Sequence, residues 1–153
     1  MKISKSLQSP FQLVATQILE YKIENSFLTI PDDVEITTEC EYDTKLLDGA
    51  PEDNVLSGLV FLEVKVIVNS SDNNTLKATL KMAGGFGQKG DDKEAFTKML
   101  EINGCASLYS YARSYLSQNI ALATSTGGKQ IIIPLINVFK LKEKKDKKSA
   151  NKK

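Results

Sequence analysis

The 153-residue chain has the length of one domain and a globular composition, with 41% hydrophobic and 25% charged residues. It contains no histidine and only two cysteines, Cys40 and Cys105, which argues against a metal or zinc site. No stretch reaches the length of a membrane span, and no signal-peptide pattern is present, so we expect a cytoplasmic protein without membrane insertion. The sequence leaves open whether the two cysteines form a disulfide. The net charge of +1 is uneven, because residues 31–53 carry −8 and residues 140–153 carry +6.

Four segments alternate between apolar and polar residues, which is typical of half-buried β-strands. They cover residues 11–23, 34–42, 60–68 and 76–82, and in the first of them one parity holds Phe11, Leu13, Ala15, Leu19, Tyr21 and Ile23. A turn cluster at residues 70–74 joins the last two as a hairpin. The short connections predict an antiparallel sheet with one covered face.

A helical period follows the strands. Asp91 or Asp92 can cap a short helix, which Gly104 is expected to interrupt. A 3.6-residue period then covers residues 105–123, and Gly127-Gly128 supplies a stop.

The fold class is therefore predicted to be α+β: a four-stranded antiparallel sheet, then a long helix, then a short C-terminal helix or extended apolar segment. Residues 131–136 form that apolar segment. Residues 1–141 are expected to form one domain, and the basic residues 142–153 a disordered tail.

Three glycines, Gly85, Gly87 and Gly90, match the spacing of a phosphate-binding loop. The context argues against that function, because the strands before them are antiparallel and Asp91 and Asp92 would repel a phosphate. A glycine-rich turn between strand and helix is the better interpretation.

Two charged regions each allow two interpretations. Glu35, Glu39 and Glu41 share one face of the second strand, which is either a solvated face or a docking surface for a basic partner. The lysine-rich tail has no interleaved aromatic residues, so it is expected to aid solubility rather than to bind nucleic acid or an anionic membrane. Arg113, the sole arginine, is expected to make a structural pairing, for example with a strand carboxylate.

Several short motifs occur in one order over about residues 10–141, and together they resemble the SecB family of protein-export chaperones. They are Phe11-Gln12-Leu13, the strand at 62–68, Leu76–Met82 running into Gly84-Gly85-Phe86, Cys105 shortly before Tyr111-Ala112-Arg113, and Ile133-Pro134-Leu135 followed by Phe139.

The resemblance implies a homotetramer, built as a dimer of dimers, that holds unfolded preproteins without ATP and delivers them to a translocation motor. It implies that Glu35, Glu39 and Glu41 belong to the acidic docking face, and that Tyr111, Ala112 and Arg113 serve assembly or the core. It implies no catalytic residue and no cofactor. The client groove carried over by position consists of Ile36, Thr38, Cys40 and Tyr42, facing Leu135, Val138, Phe139 and Leu141.

The sequence departs from the family at Thr38 and Cys40, which are smaller or more polar than expected, and in its basic C-terminus. General export is therefore one hypothesis. The alternative is a SecB-fold adaptor or a chaperone dedicated to one partner, such as an antitoxin. An enzyme is not expected, because no nucleophile–base pair can be assembled.

Overall fold

The computed structural model describes residues 8–48, 54–124 and 131–152. The strands are β1 (Gln12–Asn25), β2 (Glu35–Leu47), β3 (Val55–Asn69) and β4 (Thr75–Lys89). They form one antiparallel sheet in the order β1-β4-β3-β2, so β1 and β2 are its edge strands. The helices follow in the chain, and the predicted α+β fold class is confirmed.

Strand β4 corrects the prediction of a glycine-rich turn. Gly84, Gly85 and Gly87 pair in register with β1 and β3, and the strand continues to Lys89. A Cβ on Gly84 would lie 3.0 Å from a Leu108 methyl group, so this glycine lets the sheet and helix approach closely. The turn comes later, at Gly90, whose φ of 136° favours glycine. A strand at this place leaves no loop to cradle a phosphate.

Strand β1 corrects the predicted alternation of its residues. Its register with β4 shifts between Leu13 and Ala15 and again between Ile18 and Glu20, as happens at β-bulges. As a result Ala15 and Leu19 are exposed, although they share the parity of the half-buried Leu13. One extra residue is enough to reverse which face a side chain occupies.

The helical region is nearly continuous. Helix α1 (Lys93–Met99) is capped by the Asp92 side chain, which accepts a hydrogen bond from the Ala95 N–H at 2.9 Å. A π-helical turn (Leu100–Gly104) leads directly into α2 (Cys105–Ala123). Gly104 therefore does not interrupt the helix. A Cβ there would lie 3.0 Å from Val60, so the glycine serves close packing. The predicted stop at Gly127-Gly128 lies outside the described residues.

Helix α3 (Val138–Ala150) corrects the prediction of a disordered tail over residues 142–150. The Asn137 side chain caps the helix by accepting from the Lys140 N–H at 3.1 Å. Three lysines of this helix pair with carboxylates that are far away in the chain, as described below. In the described part of the chain, none of the helices has the length and apolar character needed to cross a membrane.

The core lies between the sheet and α1–α2. Its fully buried side chains come from alternate positions of β3 and β4, from one face of the helices, and from the extended segment before α3. Burying each large apolar side chain contributes about 1.5–3 kcal/mol. The largest of them are Phe96, Leu62, Leu76, Leu80, Leu100, Leu108, Leu116, Ile120 and Ile133.

Two glycines show how differently the faces of the sheet are packed. A Cβ on Gly58 would collide with the Leu100 side chain and lie 3.1 Å from the Lys45 carbonyl oxygen. A Cβ on Gly85, which points to the opposite face, would have its nearest neighbour at 3.9 Å. The helix-covered face is therefore filled, whereas the other face is open.

Candidate functional site

A cleft of about 730 Å³ lies between the edge strand β2 and α3. A smaller cavity of about 200 Å³ extends it along the same helix. We call both together the β2–α3 cleft. Its walls combine polar and apolar side chains, among them Thr38, Cys40, Tyr42, Ile136 and Leu141.

The β2 wall carries buried polar groups. Burial raises the pKa of the Cys40 thiol to about 12, and it raises the pKa of the Tyr42 hydroxyl as well. The Thr38 Oγ1 and the Tyr42 hydroxyl oxygen are buried and have no hydrogen-bond partner among the described residues. Buried polar atoms are usually paired, so these two oxygens are exceptions within the β2 wall.

The α3 wall is attached to β2 by ion pairs that span most of the chain. Lys145 Nζ lies 2.8 Å from Asp43 Oδ1 and 4.6 Å from the centre of the Tyr42 ring. Lys148 Nζ lies 2.8 Å from Glu41 Oε1. Hydrogen bonds from these lysines hold the pKa values of Asp43 and Glu41 below their usual range.

A further contact joins α3 to the π-helical turn. Lys142 Nζ lies 3.3 Å from Glu101 Oε2 and 3.1 Å from Asp146 Oδ2. Hydrogen bonds to Asp146 and then to Glu101 raise the pKa of Lys142. Both the sheet edge and the helical layer therefore help to fix α3.

The segment before α3 is anchored by α2. The Arg113 Nε and Nη2 donate to the Ile133 carbonyl oxygen at 2.9 and 2.7 Å. The Tyr109 hydroxyl donates to the Pro134 carbonyl oxygen at 2.7 Å, and Ser117 Oγ to that of Ile131 at 3.2 Å. Arg113 thus pairs with a backbone carbonyl rather than with a strand carboxylate. It positions the segment that brings Ile136 to the cleft.

The structure brings together only part of the groove set carried over from the resemblance. Thr38, Cys40 and Leu141 line the larger part of the cleft, and Tyr42 lines the smaller part. Leu135 and Phe139 do not line it and are 77% and 67% exposed.

The remaining positions of that set pack elsewhere. Ile36 and Val138 are half-buried and pack against the core. In the helix motif Ala112 is buried and Tyr111 is 54% exposed.

Sequence reasoning missed three lysines of the cleft, Lys140, Lys144 and Lys148. Their spacing of four residues was the available signal, because such residues share one face of a helix. The expected disorder of residues 142–153 hides this spacing, because two of the three lysines lie in that stretch.

The acidic face is less negative than its glutamates suggest. Glu35, Glu39 and Glu41 are exposed on the sheet face away from α1–α2. Glu39 lies 3.4 Å from Lys65, and Glu41 is paired with Lys148. Two of its three carboxylates are therefore partly neutralised.

The sequence matches no protein-family model and none of the curated proteins with which it was compared. Among solved structures, it is similar to a SecB-like chaperone of Mycobacterium tuberculosis in complex with a peptide from an antitoxin. The likeness covers 83% of this chain and 91% of that chain, with a TM-score of 0.54. This chain has a SecB-like fold. With 13% sequence identity, the likeness concerns the fold, and the side chains of the cleft are this protein's own.

On this SecB-like fold, the β2–α3 cleft offers chemistry suited to binding. Among the described residues, no group of three His, Cys, Asp or Glu side chains forms a metal-binding arrangement. The cleft instead presents apolar side chains beside ammonium groups. Such a mixed surface fits a polypeptide segment.

Proposed function

We propose that this protein is a molecular chaperone that holds unfolded or partly folded client proteins in the β2–α3 cleft without ATP. The observation that carries the proposal is an open cleft of about 730 Å³ beside an edge strand. The cleft contains half-buried apolar side chains, among them Cys40 and Leu141, against which an apolar client side chain can pack. The SecB-like fold supports the same function, since the similar structure contains a bound peptide.

The cleft is too small to hold more than a short part of a client. A single cleft is therefore expected to bind weakly, and several clefts in one assembly would raise the overall affinity. We propose a homotetramer, arranged as a dimer of dimers, in a cytoplasmic location. Light scattering of the purified protein would give its mass, and a monomer would contradict this assembly.

Aggregation of a chemically unfolded client, followed by light scattering without ATP, tests the chaperone proposal. The protein is expected to suppress aggregation, and Leu141→Asp in the cleft is expected to abolish the effect. Leu122→Asp, at a position 84% exposed and outside the cleft, is the matched control and should behave as the unaltered protein. Thermal denaturation would show that both variants fold. Equal suppression by both variants would contradict the assignment of the cleft.

Two roles remain within this proposal. In general export, the face with Glu35, Glu39 and Glu41 would dock a translocation motor. The second role, a chaperone or adaptor dedicated to one partner such as an antitoxin, is favoured by the pairing of Glu39 and Glu41 with lysines. The antitoxin peptide in the similar structure favours it too.

Capture of bound proteins from the native cell distinguishes these roles. One stoichiometric partner would support the dedicated chaperone, and many unrelated preproteins would support general export.

A further inference from the structure

One wall of the β2–α3 cleft carries a regular series of positive charges. Lys140, Lys144 and Lys148 all line it, and they follow one another at intervals of four residues on α3. Four residues of α-helix rise about 6 Å, so the ammonium groups form a row with that repeat. We call these three residues the lysine row.

Two members of the lysine row form no ion pair with any residue that the structure describes. Lys148 is paired with Glu41 at 2.8 Å, whereas Lys140 and Lys144 have no ion-pair partner among the described residues. Glu39, which lines the cleft from β2, is paired with Lys65.

One further carboxylate, that of Glu63, borders the cleft from β3, one strand further into the sheet. Within the part of the chain that the structure describes, the α3 wall therefore presents two unpaired ammonium groups.

The distance between successive lysines of the row matches the distance between alternate residues of an extended polypeptide. In a β-strand, residues i and i+2 lie on the same side and are separated by about 6.6 Å, close to the repeat of the lysine row. The side chain between them points in the opposite direction, toward the β2 wall with Thr38 and Cys40.

We propose that the cleft selects client segments with the pattern acidic–apolar–acidic in an extended conformation, and that Lys140 and Lys144 determine this specificity. The inference rests on the proposed chaperone function and names its class of clients. Client carboxylates pair with the two free lysines, while the apolar side chain between them is buried against β2.

Labelled peptides that differ only at these positions test the inference by fluorescence anisotropy. Three peptides share one uncharged sequence around a central Glu-Leu-Glu, Gln-Leu-Gln or Lys-Leu-Lys. Two exposed ion pairs are expected to make the glutamate peptide roughly 5- to 10-fold tighter than the glutamine peptide at low salt. The lysine peptide should bind most weakly, and about 0.5 M salt should remove most of the preference.

Variants of the protein then show which lysines cause the preference for the glutamate peptide. Lys140→Gln with Lys144→Gln is expected to equalise the glutamate and glutamine peptides without weakening the glutamine peptide. Lys93→Gln with Lys147→Gln removes the same charge at exposed positions outside the cleft, and should keep the preference. Charge reversal, Lys140→Glu with Lys144→Glu, should favour the lysine peptide instead.

The outcomes separate this inference from the proposed function. Equal affinity for the glutamate and glutamine peptides would overturn the inference while leaving the chaperone function intact. Loss of the preference in the control pair would overturn it too, because net charge alone would then explain the effect. Failure to bind any peptide and to suppress client aggregation would overturn both proposals.

Discussion

Arg113 provides a direct test of how the segment leading into α3 is held. Its two donors share the carbonyl oxygen of Ile133, a residue that is 1% exposed. A hydrogen bond from a charged donor contributes about 1.5–3 kcal/mol, and two donors on one acceptor contribute less than twice that. We therefore expect Arg113→Ala to lower the free energy of unfolding by about 2–4 kcal/mol. Arg113→Lys keeps the charge but loses the paired geometry, and should cost about 1–2 kcal/mol.

Urea denaturation followed by circular dichroism measures these changes, provided that the slope with denaturant stays constant. Ser117→Ala is the matched control, since it removes one neutral hydrogen bond to the same segment and should cost about 1 kcal/mol or less. Arg113→Ala should also weaken client binding while the protein is still folded, because the anchored segment brings Ile136 to the cleft. The reasoning is refuted if Arg113→Lys is as stable as the unaltered protein, or if Arg113→Ala costs no more than Ser117→Ala.

Three further predictions concern packing, pH and thiol reactivity. Gly58→Ala should destabilise the protein by about 1–3 kcal/mol, because the added methyl group overpacks the core. Gly85→Ala should be neutral or stabilising by about 0.4–1 kcal/mol, because its side of the sheet is open. Thermal denaturation of the two variants measures this difference. Because lysines hold the pKa values of Glu41 and Asp43 low, the ion pairs stabilise α3 docking above about pH 4, and this stabilisation is lost as the pH falls through the lowered pKa values. NMR chemical shifts of α3 should report its release there, and unchanged shifts would contradict the docking. Burial raises the pKa of the Cys40 thiol from 9.0 to about 12, which lowers its thiolate fraction at about pH 8 roughly 1000-fold. A more basic thiolate is also more nucleophilic, so we expect Cys40 to react with a disulfide reagent roughly 50-fold more slowly than in the unfolded chain.

The sheet could be predicted from sequence because its pattern is local. In β3 every second residue from Val60 to Val68 is apolar, and these side chains are all buried. The cap at Asp92 was also predictable, since Asp is a favoured residue at a helix start. Thr38, Cys40 and Leu141 of the cleft came from the family resemblance rather than from any single motif.

The rest depends on contacts between distant residues. The predicted fold class allowed a short C-terminal helix, but not the length of α3. Three of its lysines pair with carboxylates far away in the chain, as in the pair of Lys145 and Asp43, which are 102 residues apart. The glycines of β4 look like turn residues until Leu108 is placed over Gly84. The periodicity of one segment shows neither the ion pairs of α3 nor the contact between Leu108 and Gly84. For the same reason, the sequence alone could not place the lysine row opposite β2.

The π-helical turn at Leu100–Gly104 has a consequence for how this chain tolerates insertions and deletions. A π turn accommodates one residue more than an α-helical turn, so in evolutionary terms it is equivalent to a single inserted residue. The wider turn takes up this extra residue, so deleting one residue here should restore an α-helical turn and leave Phe96 facing the sheet. A deletion within α2 should instead rotate the rest of the helix by about 100°. The same turn carries Glu101, the partner of Lys142, so this single insertion also links the first helix to α3.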